Sequence, residues 1–450
     1  MPAASRFLFA CAFFLCSFAL TACQLVPQKP TIAKEPSIVM ILPGSGSYVT
    51  IAAKIMQGAQ AARQELESHG TKIRLVFLDS TKSDWLTKLA ALPESFVTVG
   101  GPLEPKTYSQ LMKSGLLGKR VCFAFMNNLN GSDEGRLAYR FFPSPQDQID
   151  ALVHFSTDAL KIRSFGALAG TDAYSVKMLN LFEQTLRRRN LPLQKATYTS
   201  LDAATLKSQA RVLINPSQQG GVNVPQTSFE AVFLPAPWRQ LEAMTGAFAA
   251  NGEDRLVLLG PMSWEQSVVG KSLSSPERFE LAVFPGAWNN QAQSAGLGKN
   301  ADFWTALGYD FVKFAVNLGL AAKLPDADLV ARANRAASIL RLLAPISWDA
   351  EGIAHQKLFI YRATAAGLTR MDVSLFERLR AQRKEKASLR LQRNVEAETL
   401  PEEPLAEVPA PKPASMETPP PIPVREPTGG ISTVPQSSYK LRLPTRKPAP

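Results

Sequence analysis

Ile38-Val-Met-Ile-Leu-Pro-Gly-Ser-Gly-Ser-Tyr48 decides how this chain folds. Its first half is a short apolar run ended by proline and glycine, the pattern of a strand buried on both faces. Its second half is a glycine- and serine-rich turn. The residues after the turn change period: Ile51, Ile55, Ala59, Ala62 and Leu66 recur at helical spacing and fall on one face. Strand, glycine turn and amphipathic helix make the opening of an α/β unit.

Working outward, the same alternation runs from residue 37 to about 371. Apolar runs at 38–42, 73–78, 96–99, 121–125, 165–169, 193–198, 231–234, 256–259 and 281–284 read as strands, with amphipathic helices between them. Phe303, Leu307, Phe311, Phe314 and Leu318 form another one-sided stripe. Strands buried on both faces imply parallel sheets flanked by helices. So many strands are better divided between two lobes than placed in one sheet.

The segment before residue 37 carries an address. Arg6 precedes an apolar run at 7–20, shorter than the roughly 20 residues a membrane span needs. Leu20-Thr-Ala-Cys23 closes it and resembles the lipobox of bacterial lipoproteins. Residues 1–22 are therefore expected to be a signal peptide, with the membrane joined through lipid on Cys23. Gln24, where that family uses Asp for inner-membrane retention, points to the outer membrane over the inner. Residues 23–36 form a polar tether of roughly 40 Å when extended. The expected location is the periplasmic face of the envelope.

With the signal removed, Cys23 and Cys122 are the remaining cysteines. Cys23 is taken by lipid, so no disulfide is expected within one chain. Lys and Arg number 50 against 38 Asp and Glu, a net charge of +12. That balance favours acidic partners such as anionic lipid or cell-wall polymer, and export argues against nucleic acid. After Met371 the composition shifts. Residues 372–394 read as a basic helix, with Arg378, Arg380, Arg383, Lys384, Lys386, Arg390 and Arg393, and 395–450 as a disordered proline-rich tail. The helix is either a solvated spacer or a grip on anionic cell-wall polymer or on a partner's acidic face. The tail reaches about 170 Å at full polyproline extension.

Further pieces then fall in order. Gln57-Gly-Ala-Gln-Ala-Ala62, Val99-Gly-Gly-Pro-Leu103, Phe141-Phe-Pro-Ser-Pro-Gln-Asp-Gln148, Glu230-Ala-Val-Phe-Leu-Pro235, Leu307-Gly-Tyr-Asp310 and Ile346-Ser-Trp-Asp-Ala-Glu-Gly352 follow the opening stretch. Together with it they resemble the type I periplasmic binding proteins of the leucine/isoleucine/valine-binding class. More narrowly, they resemble the penicillin-binding-protein activator lipoproteins. The best-known activators place a helical-repeat domain ahead of this one, where residues 23–36 offer only a tether. The resemblance implies two lobes around a cleft, one of about 37–143 and 285–345, the other of about 144–284 and 346–371. It also implies binding rather than catalysis. Two functions stay open: a non-catalytic partner of a peptidoglycan synthase, and a solute-binding lipoprotein of an ABC importer for amino acids or similar small polar ligands.

Ligands of open α/β sheets gather at the carboxyl ends of strands. Ser45, Gly46, Ser47 and Tyr48 offer hydroxyls and backbone N–H groups at a helix start. Gly101 follows the third strand, in the loop that binding relatives use beside the first. Asp172, Tyr174, Trp238 and Trp264 are the candidates of the second lobe. The tryptophans either stack on a ligand or pack beneath the cleft, and the sequence leaves both open. No catalytic residue, metal ligand set or cofactor is expected. His69, His154 and His355 stand apart, and neither a metal-binding H-E-x-x-H nor a G-x-S-x-G elbow occurs. Asp349 and Glu351 lie in an expected turn, as capping groups.

Overall fold

Strand β1 (Ser37–Leu42) is buried along its whole length and pairs on both sides. The computed structural model describes residues 35–399 apart from 137, 272, 274–275, 293–296, 299–300, 321–327 and 366. Cys23, the signal peptide, nearly all of the tether and the tail from residue 400 lie outside the described residues. With β2 (Arg74–Asp79), β3 (Thr98–Gly100), β4 (Val121–Ala124) and β5 (Ala138–Arg140), β1 forms a parallel sheet ordered β2-β1-β3-β4-β5. Its side chains alternate between two cores, as the pleat dictates. Ile38, Met40 and Leu42 enter one, Val39 and Ile41 the other.

The second lobe repeats the plan. Its strands are β6 (Phe165–Gly170), β7 (Leu193–Tyr198), β10 (Ala231–Phe233), β11 (Val257–Leu259) and β12 (Ala282–Gly286), with a small hairpin of β8 (Ser217–Gln219) and β9 (Val222–Val224) beside them. The nine apolar runs all became strands. The parallel sheet flanked by helices is as expected, and two antiparallel strands are added at its edge. After β13 (Ile346–Trp348) and β14 (Ala354–Gln356), β15 (Phe359–Thr364) and β16 (Gly367–Arg370) add to the edge antiparallel, giving β16-β15-β12-β11-β10-β6-β7. A two-stranded hairpin needs only a tight turn, so it closes the edge without a crossover helix.

Two boundaries move. The β13–β14 hairpin was expected in the second lobe, but its side chains belong to the first. Trp348 sits within 5.6 Å of Phe314 and 6.2 Å of both Phe123 and Phe141 in that lobe's aromatic core. Asp349 caps its turn, accepting from Glu351 N–H at 3.1 Å and Ile353 N–H at 2.8 Å. The basic helix spans Val373–Thr399, beyond the expected end at 394, and it is not a free spacer. Phe376 is fully buried in the second lobe's core, and Arg380, Arg383, Ala387 and Arg390 follow at helical spacing on the same face. Arg380 pairs with Glu230, and Arg390 meets Asp254 at 2.7 Å. Arg378, Lys386 and Arg393 remain exposed.

The quoted motifs acquire physical reasons. Gly58 of the first helix (Val49–Ser68) and Gly308 of the Phe303–Leu318 helix mark a close crossing. A Cβ on Gly58 would stand 1.9 Å from the Thr305 carbonyl oxygen, and one on Gly308 1.9 Å from that of Ile55. Asp310 receives the N–H groups of Leu342 (3.0 Å) and Leu343 (2.8 Å). Burial pushes its carboxyl up to about 6 against their pull.

Three segments pass between the lobes: after β5, after β12 and before β15. The Phe141–Gln148 motif builds the first. Ser144 and Asp147 form a capping box on the Pro145–His154 helix. Arg140 spans to Asp147 at 3.1 Å, to Glu134 at 3.3 Å and to the Ala354 carbonyl, while Asp147 also accepts from Gln356 N–H at 3.2 Å. One buried guanidinium and one buried carboxylate thus tie the first crossing to the third.

Candidate functional site

The turn after β1 reaches the surface, where Ser45, Gly46, Ser47 and Tyr48 are exposed. Its expected role as an anion cradle is partly taken. Asp79, at the end of β2, accepts from Gly44 N–H at 2.7 Å and from the Thr81 N–H and hydroxyl at 2.9 and 2.6 Å. Burial raises the Asp79 carboxyl, but the Thr81 and Gly44 hydrogen bonds outweigh it and hold it below the usual range. A carboxylate of the protein itself therefore stands at this loop.

Gly101 is more fully committed. It is buried at φ +85°, and a Cβ there would lie 2.4 Å from the Ile41 carbonyl oxygen, so glycine is required. Its N–H bonds to the Phe123 carbonyl at 3.0 Å, and its own carbonyl accepts from the Cys122 thiol at 3.1 Å. The Gly101 N–H is thus taken within the fold, and its carbonyl already accepts one hydrogen bond there. Cys122 is buried, and burial pushes its thiol well above the usual range.

In the second lobe, Asp172 caps the Ala173–Arg188 helix, accepting from Tyr174 N–H at 3.1 Å and Ser175 N–H at 3.0 Å. The Ser175 hydrogen bonds lower its carboxyl. Tyr174 is exposed on the first turn. Trp264 is not a cleft residue: it is fully buried, and its indole N–H donates to the Ala236 carbonyl at 2.6 Å. Trp238 packs on it edge-to-face at 5.3 Å and on Phe279 at 5.1 Å. Of the two readings of these tryptophans, packing is the one the structure shows.

What the chain brings together is a cavity of about 500 Å³ lined by Tyr48, Tyr108, Phe125, Phe142 and Trp304 of the first lobe and Lys177 of the second. Phe142 and Trp304 stack at 5.6 Å. Lys177 makes no ion pair among the described residues. Of the sequence candidates, Tyr48 lines this space, while Tyr174 lies one helical turn from Lys177. Phe142, Trp304 and Lys177 were missed. Their signal was position alone: one follows β5 and the others open helices that converge on the cleft. Four exposed apolar side chains stand at the starts of the Val49–Ser68 and Ala173–Arg188 helices, Tyr48 and Val49 on one lobe and Tyr174 and Val176 on the other. Among the described residues, no helix is long and apolar enough to cross a membrane, and no group of three or more His, Cys, Asp or Glu is placed to hold a metal.

Two parallel-sheet lobes, three crossings and a lined cleft define the two-lobed fold of the periplasmic binding proteins. No family model matches the chain and no curated protein matches it in sequence. Solved structures do. The C-domain of LpoA (YraM) from Haemophilus influenzae, a regulator of PBP1A, superposes with a TM-score of 0.55 at 13% identity, over 75% of this chain and 100% of that one. A putative branched-chain amino acid ABC transporter from Rhodospirillum rubrum gives 0.55 at 13% identity, over 74% and 99%. Against full-length LpoA the TM-score is 0.54 at 12% identity, and the match spans 59% of that longer chain. At such identities the likeness establishes the fold. The named neighbours are a regulator and a transport protein rather than enzymes.

Proposed function

We propose that this protein is a non-catalytic envelope lipoprotein, anchored through Cys23 at the periplasmic face of the outer membrane, that recognises and regulates a peptidoglycan synthase. The observation carrying this reading is the state of the cleft. Gly101 has spent its backbone within the fold, Gly44 holds Asp79, and Asp172 caps a helix. A zwitterionic solute needs several convergent donors and acceptors, and these groups are committed elsewhere. Exposed Tyr48, Val49, Tyr174 and Val176 instead offer apolar and aromatic contact of the kind that anchors protein interfaces. The likeness to a regulator of PBP1A supports the choice of partner. The test is binding of purified synthase to the full lipidated chain and to a Tyr48→Ser/Tyr174→Ser double variant. A loss of at least about 2 kcal/mol is expected; unchanged affinity refutes the surface. Cys23→Ser should release the protein from membranes.

A second reading, solute delivery to an ABC importer, is supported by the 500 Å³ cavity and by Lys177, which has no ion-pair partner among the described residues. A solute at 100 times its Kd would stabilise the fold by about 2.7 kcal/mol in thermal-shift measurements. Stabilisation lost in Lys177→Met would favour this reading over regulation.

A further inference from the structure

A second cavity between the lobes, of about 210 Å³, has a different chemistry. Glu265 and Val269 come to it from the second lobe. Ile51 and Lys54 come from the first helix, and Asp302 with Trp304 from the start of the Phe303–Leu318 helix. Glu265 is 2% exposed, and neither of its carboxyl oxygens has a hydrogen-bond partner among the described residues. Other buried acids of this protein are served. Glu253, 1% exposed, takes Arg255 at 2.6 Å and the Thr227 hydroxyl at 2.6 Å, and Asp310 takes two backbone N–H groups. An orphaned buried carboxyl is costly, and the surrounding chain gives it nothing. Tyr361, which closes the space behind it with Gly286, has its hydroxyl bonded to the Trp288 carbonyl.

We propose that this cavity binds a small primary ammonium ion, with Glu265 as counter-ion and Trp304 as an aromatic wall. The inference stands apart from the synthase reading and concerns a different cavity from the one Tyr48 lines. The sign of the ligand follows from the charges that face Glu265: Asp302 and Lys54 on the first lobe, and Tyr361 on β15. Lys54 is ion-paired with Asp302, which also caps its own helix through the Trp304 and Thr305 N–H groups at 3.1 Å, so Lys54 is not the counter-ion of Glu265. Desolvation and then the Asp302 charge push the Glu265 carboxyl up to about 8. Both causes oppose its anion, and a cation relieves both, whereas an anionic ligand would add to them. Without a bound cation Glu265 therefore holds a proton at neutral pH. Binding releases that proton to solvent as the ammonium N–H groups replace it. The volume corresponds to about seven waters at ~30 Å³ each, which suits an ammonium on a short alkyl chain against Ile51 and Val269. Such a ligand touches both lobes and holds them together.

The test titrates the full chain with n-propylammonium chloride, with 1-propanol as the neutral probe of matched size, near neutral pH. Saturable binding of the ammonium, its loss by about tenfold or more in Glu265→Gln, and no binding of propanol are expected. Calorimetry of the unmutated chain in two buffers of different ionisation heat should show close to one proton released per ammonium bound, which keeps the test alive should the variant fold poorly. Equal binding of both probes, binding indifferent to Glu265→Gln, absence of proton release, or no saturable binding to the unmutated chain overturns the proposal.

Discussion

Replacing Glu265 by Gln should make the protein more stable as pH rises, by an amount set by the buried proton. In the folded chain the carboxyl titrates near 8, against 4.5 in an unperturbed glutamate. Below 4.5 both folded and unfolded chains hold the proton, so it contributes nothing to the pH dependence. Between 4.5 and about 8 only the folded chain holds it. Unfolding then releases a proton, and stability falls by about 1.4 kcal/mol per pH unit. Above 8 the loss levels off. Gln carries no titrating proton, so subtracting the unmutated chain from Glu265→Gln cancels every other group, Asp310 included. The difference should grow in favour of the variant by roughly 2.7 kcal/mol from pH 5 to pH 7. Urea denaturation at one-unit pH steps measures it directly. A difference constant within about 0.5 kcal/mol over that range would show that Glu265 is ionised or solvated, and the account of its cavity would fail with it.

Other expectations are simpler. Arg140→Ala strands Asp147 and Glu134 as buried, uncompensated charges and should cost about 3–5 kcal/mol in urea unfolding; a cost under 1 kcal/mol would mean solvent reaches the joint. Gly308→Ala drives a methyl to 1.9 Å from the Ile55 carbonyl oxygen and should lose about 1–3 kcal/mol by forcing two helices apart. An unchanged Tm would refute that crossing. Phe376→Ala should cost about 3–5 kcal/mol, because the terminal helix is docked through this ring. A stability equal to that of the unmutated chain would mean the helix stands free.

The fold was legible because its strands are short apolar runs and its helices have one-sided stripes, both local signals. Ile38–Leu42 and the Phe303 stripe needed no partner to be read. The hairpin that carries Trp348 was assigned to the wrong lobe because chain order says where a segment follows, and the ring it packs against lies far away in sequence. The site was less legible for the same reason. Ser45 and Gly101 sit where ligand loops sit, yet Asp79 and Phe123 take their neighbourhood's hydrogen bonds from other strands. The basic helix read as a charge run, although Phe376, Arg380, Arg383, Ala387 and Arg390 follow a helical stripe. Arginine on an inward stripe looks solvated until Glu230 and Asp254 are seen opposite. Glu265 left no such trace, because Trp264-Glu-Gln-Ser-Val268 is polar enough to read as a solvated helix start.

The chain enters the described structure through β1, within the first lobe's sheet, and leaves along a helix fastened to the second lobe. Tension applied between those two ends has no shared element to run through except the three crossings. β1 is gripped on both edges and would have to shear along two ladders, and the departing helix is pinned by a buried ring. The weakest place along that line of force is the joint itself, where the lobes face one another across open cavities. A pull on the ends would therefore load the Arg140–Asp147 pair that ties the first crossing to the third.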